Sequence, residues 1–99
     1  MFASTKHVAG KNVGQVMMYA LSTCVWCKKT KALLNALGVE YDYIDVDLLT
    51  GQERVEVINE VARWNPQRSF PTIVVNNSDV IVGYDELRIN KLAEGQGTA

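Results

Sequence analysis

Residues 15–21, QVMMYAL, are a short apolar run that stops at the polar pair Ser22 and Thr23; its length and its bounds predict a buried strand. The next segment changes period. Val25, Cys27, Leu33, Leu34 and Leu37 suit a helix with one buried side, and Gly38 is a natural stop. In VEYDYIDVD, residues 39–47, Val39, Tyr41, Tyr43 and Asp45 alternate with Ile44 and Val46. Both faces of that stretch carry apolar groups, as in a strand inside a layered sheet. Thr50 followed by Glu53 forms the pattern of a capping box, and Val55, Ile58, Val61, Ala62 and Trp64 supply the apolar stripe of a second helix ending before Pro66. FPTIVVN, residues 70–76, is a β-branched strand opened by a proline. NNSD makes a hairpin turn and VIVG, residues 80–83, returns. A last helix is expected over 85–93, with Asp85 as its N-cap.

The order strand, helix, strand, helix, strand, strand, helix begins with a right-handed parallel unit and ends with an antiparallel hairpin. It predicts an α/β fold: a four-stranded mixed sheet flanked by three helices. Residues 1–14 read as a lead-in without a clear element, 15–93 as the domain, and 94–99 as a frayed tail. No repeat, low-complexity segment or linker interrupts them.

Composition adds limits. The chain has 99 residues, 47% of them hydrophobic, enough for the core of one domain. A formal net charge of −1 gives no general attraction to nucleic acid or to an anionic membrane. The first ten residues lack the apolar run of a secretory signal, and no stretch has the length of a membrane-spanning helix. The expected location is the cytoplasm, where disulfides are transient and catalytic.

Candidate chemistry centres on STCVWCKKT, residues 22–30, which hold both cysteines. Cys24 and Cys27 at this spacing lie one helical turn apart on the same side, so their sulfurs can close and reopen a small disulfide. Cys24 stands at the helix start, where unpaired N–H groups and the helix dipole favour a thiolate; it is the expected nucleophile. Cys27 is the expected resolving thiol, which attacks the mixed disulfide and releases the substrate. Zinc needs four ligands, and two cysteines with the distant His7 do not supply them. After a strand, in a β-α-β unit, the pair reads as a redox motif. Pro71 suggests a cis bond after Phe70, leaving the Phe70 backbone free to pair with an extended peptide. His7 and the Glu53, Glu56 and Glu60 face read as solvated, Trp64, Met17 and Met18 as packing, and Asp45 and Asp47 as acids at a strand end. Trp26, between two thiols, is expected to line a substrate groove.

Three motifs, in order, resemble the glutaredoxin family of the thioredoxin fold: TCVWC after the first strand, RSFPT where the family has Thr-Val-Pro, and VGYDEL before the last helix. The resemblance spans residues 15–93. It implies that Cys24 and Cys27 are the nucleophilic and resolving cysteines, and that Pro71 is the family's cis-proline. It implies that Phe70 pairs through its backbone with the cysteine of glutathione, and that Arg68 meets a glutathione carboxylate. Gly83, Tyr84, Asp85 and Glu86 match the turn that receives the γ-glutamyl end, and Thr23 and Trp26 flank the thiols. No bound cofactor is expected; glutathione is the expected co-substrate. Partners would be disulfide-bearing proteins, with glutathione or a thioredoxin reductase-like flavoprotein returning electrons to a monomer.

The chain departs from the family pattern at three places. Val25 replaces the usual proline between the cysteines, Leu21 the lysine three residues before the first one, and Val82 the first glycine of the Gly-Gly turn. Val25 and Leu21 resemble the glutaredoxin-like proteins that thioredoxin reductase reduces, although their Trp-Ser-Gly-Phe-Arg-Pro signature is missing. A third function, carriage of a [2Fe–2S] cluster between two copies, is disfavoured by Cys27 and by the bulk of Val25 and Trp26.

Overall fold

The computed structural model describes residues 2–94. In chain order the elements are β1 (Lys6–Val8), β2 (Val16–Ala20), α1 (Val25–Ala36), β3 (Tyr41–Asp45), a 3-10 turn (Val46–Leu48), α2 (Gly51–Trp64), β4 (Thr72–Val75), β5 (Asp79–Val82) and α3 (Glu86–Ala93). The sheet runs β1-β3-β2-β4-β5. β2 and β3 are parallel, with Tyr19 opposite Ile44; β4 returns antiparallel to β2, with Thr72 opposite Tyr19.

The sheet has five strands rather than the expected four. Lys6–Val8 pairs antiparallel with β3, His7 facing Asp42. Three residues with two exposed polar side chains carry too little alternation to read as a strand; the partner strand organises them.

Alternation on β2 divides the core. Val16, Met18 and Ala20 face α1 and α3, where they meet Leu34, Ile89 and Leu92. Tyr19 faces α2 with Ile44, Val57 and Val61. The two apolar faces of residues 39–46 are thus used as expected: Val39 and Tyr41 in the first layer, Ile44 and Val46 in the second. The strand itself stops at Asp45, where the 3-10 turn takes over.

Local caps differ from the pattern in two places. Thr50 is the N-cap of α2 but its side chain makes no capping bond. Gly51 enters the helix at φ +62, and the Glu53 carboxylate turns to the N-terminal segment, accepting from Ser4 N at 2.8 Å and Ser4 Oγ at 2.7 Å. Two donors from outside the helix displace the capping box. Val55 is exposed and Val57 takes the buried place, so the α2 stripe is Val57, Ile58, Val61 and Trp64. Gly38 behaves as expected, ending α1 at φ +70, a backbone conformation that costs glycine little. Asp85 caps α3 by accepting from Arg88 N at 3.1 Å. The expected tail lies, from residue 95 onward, outside the described residues. Among the described residues no helix is long and apolar enough to cross a membrane.

Candidate active site

The thiols sit where β2 hands over to α1. The chain leaves Ala20, turns through a Cys24 N to Leu21 O bond of 3.2 Å, and enters the helix at Val25. Cys24 is therefore the N-cap residue, with an extended backbone, and its sulfur accepts the Cys27 N–H at 3.2 Å. A helix start needs such an acceptor, because its first N–H groups have no partner within the helix. Beginning the helix at Val25 turns Val25 and Trp26 to solvent, against the expectation that Val25 is buried, while Cys27, Thr30 and Leu34 form the buried stripe. The Thr30 hydroxyl is satisfied by the Trp26 carbonyl at 2.8 Å.

Both cysteines are free thiols, and they are unequal. Cys24 is half-buried at the surface and Cys27 fully buried. Burial first, and the neighbouring Cys24 sulfur second, push the Cys27 thiol up to about 12; a backbone hydrogen bond with Leu21 and, less, the Lys31 cation act against them. Lys31 lies one turn beyond Cys27 and is held by Asp45 at 3.1 Å, with its ammonium 4.1 Å from the Tyr43 ring.

Around the thiols the structure brings most of the expected residues together. The Trp26 ring, 54% exposed, stacks on Tyr84 with 5.9 Å between centroids and 29° between planes, tying the start of α1 to the turn before α3. Lys29 stands 4.8 Å from the other partner of that stack, Trp26. Thr23 is exposed beside Cys24. The Phe70–Pro71 peptide is cis, Phe70 is half-buried against both core layers, and Pro71 O accepts the Gly83 N–H at 2.8 Å. Gly83 takes φ +79 in that turn. Asp85 spends one carboxylate oxygen on its helix. Glu86 is exposed on the first turn of α3, and among the described residues no ion pair joins its carboxylate to the group.

On the α2 side, Arg68 and Phe70 share a cleft of about 230 Å³ with Leu21, Arg54, Asp47 and Ile58. Arg68 is exposed at φ +55. Arg54 was not anticipated as part of the site. It adds a second cation one turn into α2, beside the apolar Leu21.

Two further supports escaped the sequence reading. Asp47 is more than an end-of-strand acid: it accepts from Ser22 N at 2.8 Å and from the Ser22 hydroxyl, clamping the turn that carries Cys24. Those two bonds, the hydroxyl first, hold its carboxyl below the usual range. Asn65, 4% exposed, donates to Ser69 O at 3.1 Å, Ser69 Oγ at 3.0 Å and Thr72 Oγ1 at 3.1 Å, and accepts from Gln67 N at 3.2 Å. It closes the loop leading to Phe70 and Pro71. An asparagine between a helix end and a proline was the available signal, and it reads equally as an ordinary turn.

The chain is similar in sequence and fold to known proteins. The glutaredoxin family model matches residues 16–80. The crystal structure of a glutaredoxin from Methanosarcina mazei Go1 is 51% identical, with a TM-score of 0.83 over 91% of this chain and 87% of that one. Methanoredoxin of Methanosarcina acetivorans is 50% identical, with a TM-score of 0.84 over 89% of this chain and 93% of that one. Glutaredoxin 1 of Rickettsia bellii (strain RML369-C) is 36% identical, spanning 82% of this chain and 88% of its own. A paired thiol at a helix start, a cis-proline loop and a matching fold across most of the chain lead to one conclusion: the protein belongs to the glutaredoxin family, with the thioredoxin-like fold.

Proposed function

We propose that this chain reduces protein and glutathione mixed disulfides through a reversible Cys24–Cys27 disulfide. The observation that carries the reading is the asymmetry of the pair: an accessible sulfur on the helix N-cap, with a buried thiol one turn behind it. Cys24, as thiolate, attacks one sulfur of the substrate disulfide. A Cys24–substrate bond forms, and the other sulfur leaves as a thiolate and takes up a proton. Cys27 then loses its proton, attacks the Cys24 sulfur and releases the second substrate thiol. The substrate gains two electrons and two protons, and the protein is left as the disulfide.

Burial keeps the Cys27 thiol protonated at neutral pH, and conversion of the Cys24 sulfur to a mixed disulfide removes the smaller, second cause of that shift. Trp26 and Tyr84 flank the docking peptide on one side. Phe70 supplies backbone hydrogen bonds and Pro71 the bend, while the Gly83–Glu86 turn and the free oxygen of Asp85 receive an ammonium. The Arg68 and Arg54 cleft supports a carboxylate partner and hence glutathione as the co-substrate.

Leu21 favours a second electron source. It leaves the cleft floor apolar where the family pattern has a lysine, which supports reduction by a thioredoxin reductase-like flavoprotein. A coupled NADPH assay separates the two: one arm with glutathione and its reductase, one with thioredoxin reductase. Cys24→Ser abolishes turnover in both arms and Cys27→Ser accumulates a mixed disulfide; full activity in both variants sinks the dithiol mechanism.

A further inference from the structure

A cavity of about 390 Å³ opens at the far end of the sheet from the thiols, beneath the C-terminal half of α2. Met17 at the start of β2 lies opposite both Asp42 and Val74, and this row forms the sheet side of the cavity. Glu60 and Trp64 of α2 form the other side, and Phe2 closes against them.

Its chemistry is uneven. Tyr19 lines it while 5% exposed, and among the described residues no group hydrogen-bonds its hydroxyl. Burial first, and the Glu60 charge second, push that phenol up to about 12, so it stays a donor. Two carboxylates face the same space. Glu60 gives Oε2 to Trp64 Nε1 at 2.8 Å and to Arg63 at 3.6 Å; Asp42 gives Oδ1 to His7 at 2.7 Å. Among the described residues nothing bonds the second oxygen of either. The Arg63 guanidinium, 5.4 Å from the Trp64 ring, is on a side chain 68% exposed, so solvent screens it.

We infer that this cavity is a second binding site, separate from the dithiol, for a small organic cation: an ammonium group set between Glu60 and Asp42, an apolar body against Phe2 and Trp64, and an acceptor atom on the Tyr19 hydroxyl. Paired carboxylates with aromatic walls favour a positive head that is only partly desolvated. Among the described residues the charged side chains lining the cavity are these two carboxylates, so an anion would meet like charge there, which His7 offsets only at Asp42.

The two indole N–H groups of Trp26 and Trp64 report on the two sites separately. They are resolved in a nitrogen–proton correlation spectrum and assigned with Trp26→Phe. Titration with benzylammonium chloride at constant ionic strength is expected to move the Trp64 signal saturably and leave the Trp26 signal in place. Glu60→Gln lowers the affinity roughly tenfold and Tyr19→Phe roughly threefold. Asp42→Asn gives an independent reading should Glu60→Gln disturb the fold. A non-saturating shift, equal binding of benzoate, or undiminished affinity in both carboxylate variants overturns the site. Tighter binding of an acetylated lysine peptide than of benzylammonium overturns the small-molecule assignment. Disulfide reduction by Glu60→Gln, run in parallel, is expected to be unchanged, because no residue placed around the thiols lines the cavity.

Discussion

Asn65 reaches across its loop to Thr72, its amide 3.1 Å from a hydroxyl that itself donates to Ser69 O at 2.8 Å. One buried side chain thus fixes both ends of the segment that carries Arg68, Phe70 and Pro71. Asn65→Ala removes four hydrogen bonds that tie the loop, the one to Thr72 wholly buried, and is expected to cost about 1–3 kcal/mol. Urea unfolding measures the loss. An unchanged midpoint would show that the loop holds itself.

The buried thiol gives a pH prediction. In Cys24→Ser, burial, the larger cause of the upward shift, remains at Cys27. Alkylation by iodoacetamide needs the thiolate, so its rate is expected to rise about tenfold per pH unit through the ordinary thiol range without levelling off. In Cys27→Ser, Cys24 is expected to react faster than this at neutral pH. A plateau at the ordinary thiol value for Cys27 contradicts the assignment of roles.

His7 links β1 to the sheet through Asp42 at 2.7 Å and Glu40 at 3.7 Å. The Asp42 hydrogen bond raises the imidazole above its ordinary value. A raised histidine contributes stability that is full below the unfolded value and is lost as pH rises through the folded one. Wild type should therefore exceed His7→Gln most at about pH 5.5 and least at about pH 8.5. Paired denaturation curves test the sign; a gap that widens with pH refutes it.

The cleft beside Leu21 tests the electron source. Arg68→Ala and Arg54→Ala are each expected to raise the KM for a glutathione mixed disulfide roughly two- to fivefold, the scale of an exposed ion pair. The arm driven by thioredoxin reductase should change less. Equal effects in the two arms would mean that the arginines do not select for glutathione.

The stack of Trp26 on Tyr84 gives a test of the proposed peptide groove. Tyr84→Ala removes the stacking partner of an exposed indole, worth about 0.5–1.5 kcal/mol. The expected result is a several-fold higher KM for a protein disulfide, with a smaller change for a small-molecule disulfide. Steady-state kinetics on both substrates decides.

Where the sequence was legible, short-range physics governed it. Helical spacing placed Leu34 and Val61, β-branched runs placed Ile73 and Val75, and the thiol spacing placed Cys24 at the helix start. What escaped it depends on residues far apart in the chain. Glu53 looks like a helix cap until Ser4 arrives, 49 positions away. Asp47 looks like an ordinary acid at a strand end until Ser22 folds onto it. Arg54 joins Arg68 only because α2 and the Phe70 loop line one cleft. No window along the chain contains both members of such a pair.

The small strand at Lys6–Val8 has a further effect. Without it, Tyr41–Asp45 would form the rim of the sheet and offer a row of unpaired backbone groups to any other extended chain. With it, the rim is three residues long and shows Lys6 and His7 to water. The sheet edge left on this side is short and polar, and the opposite edge is the four-residue β5, so neither rim gives a long template for adding a strand.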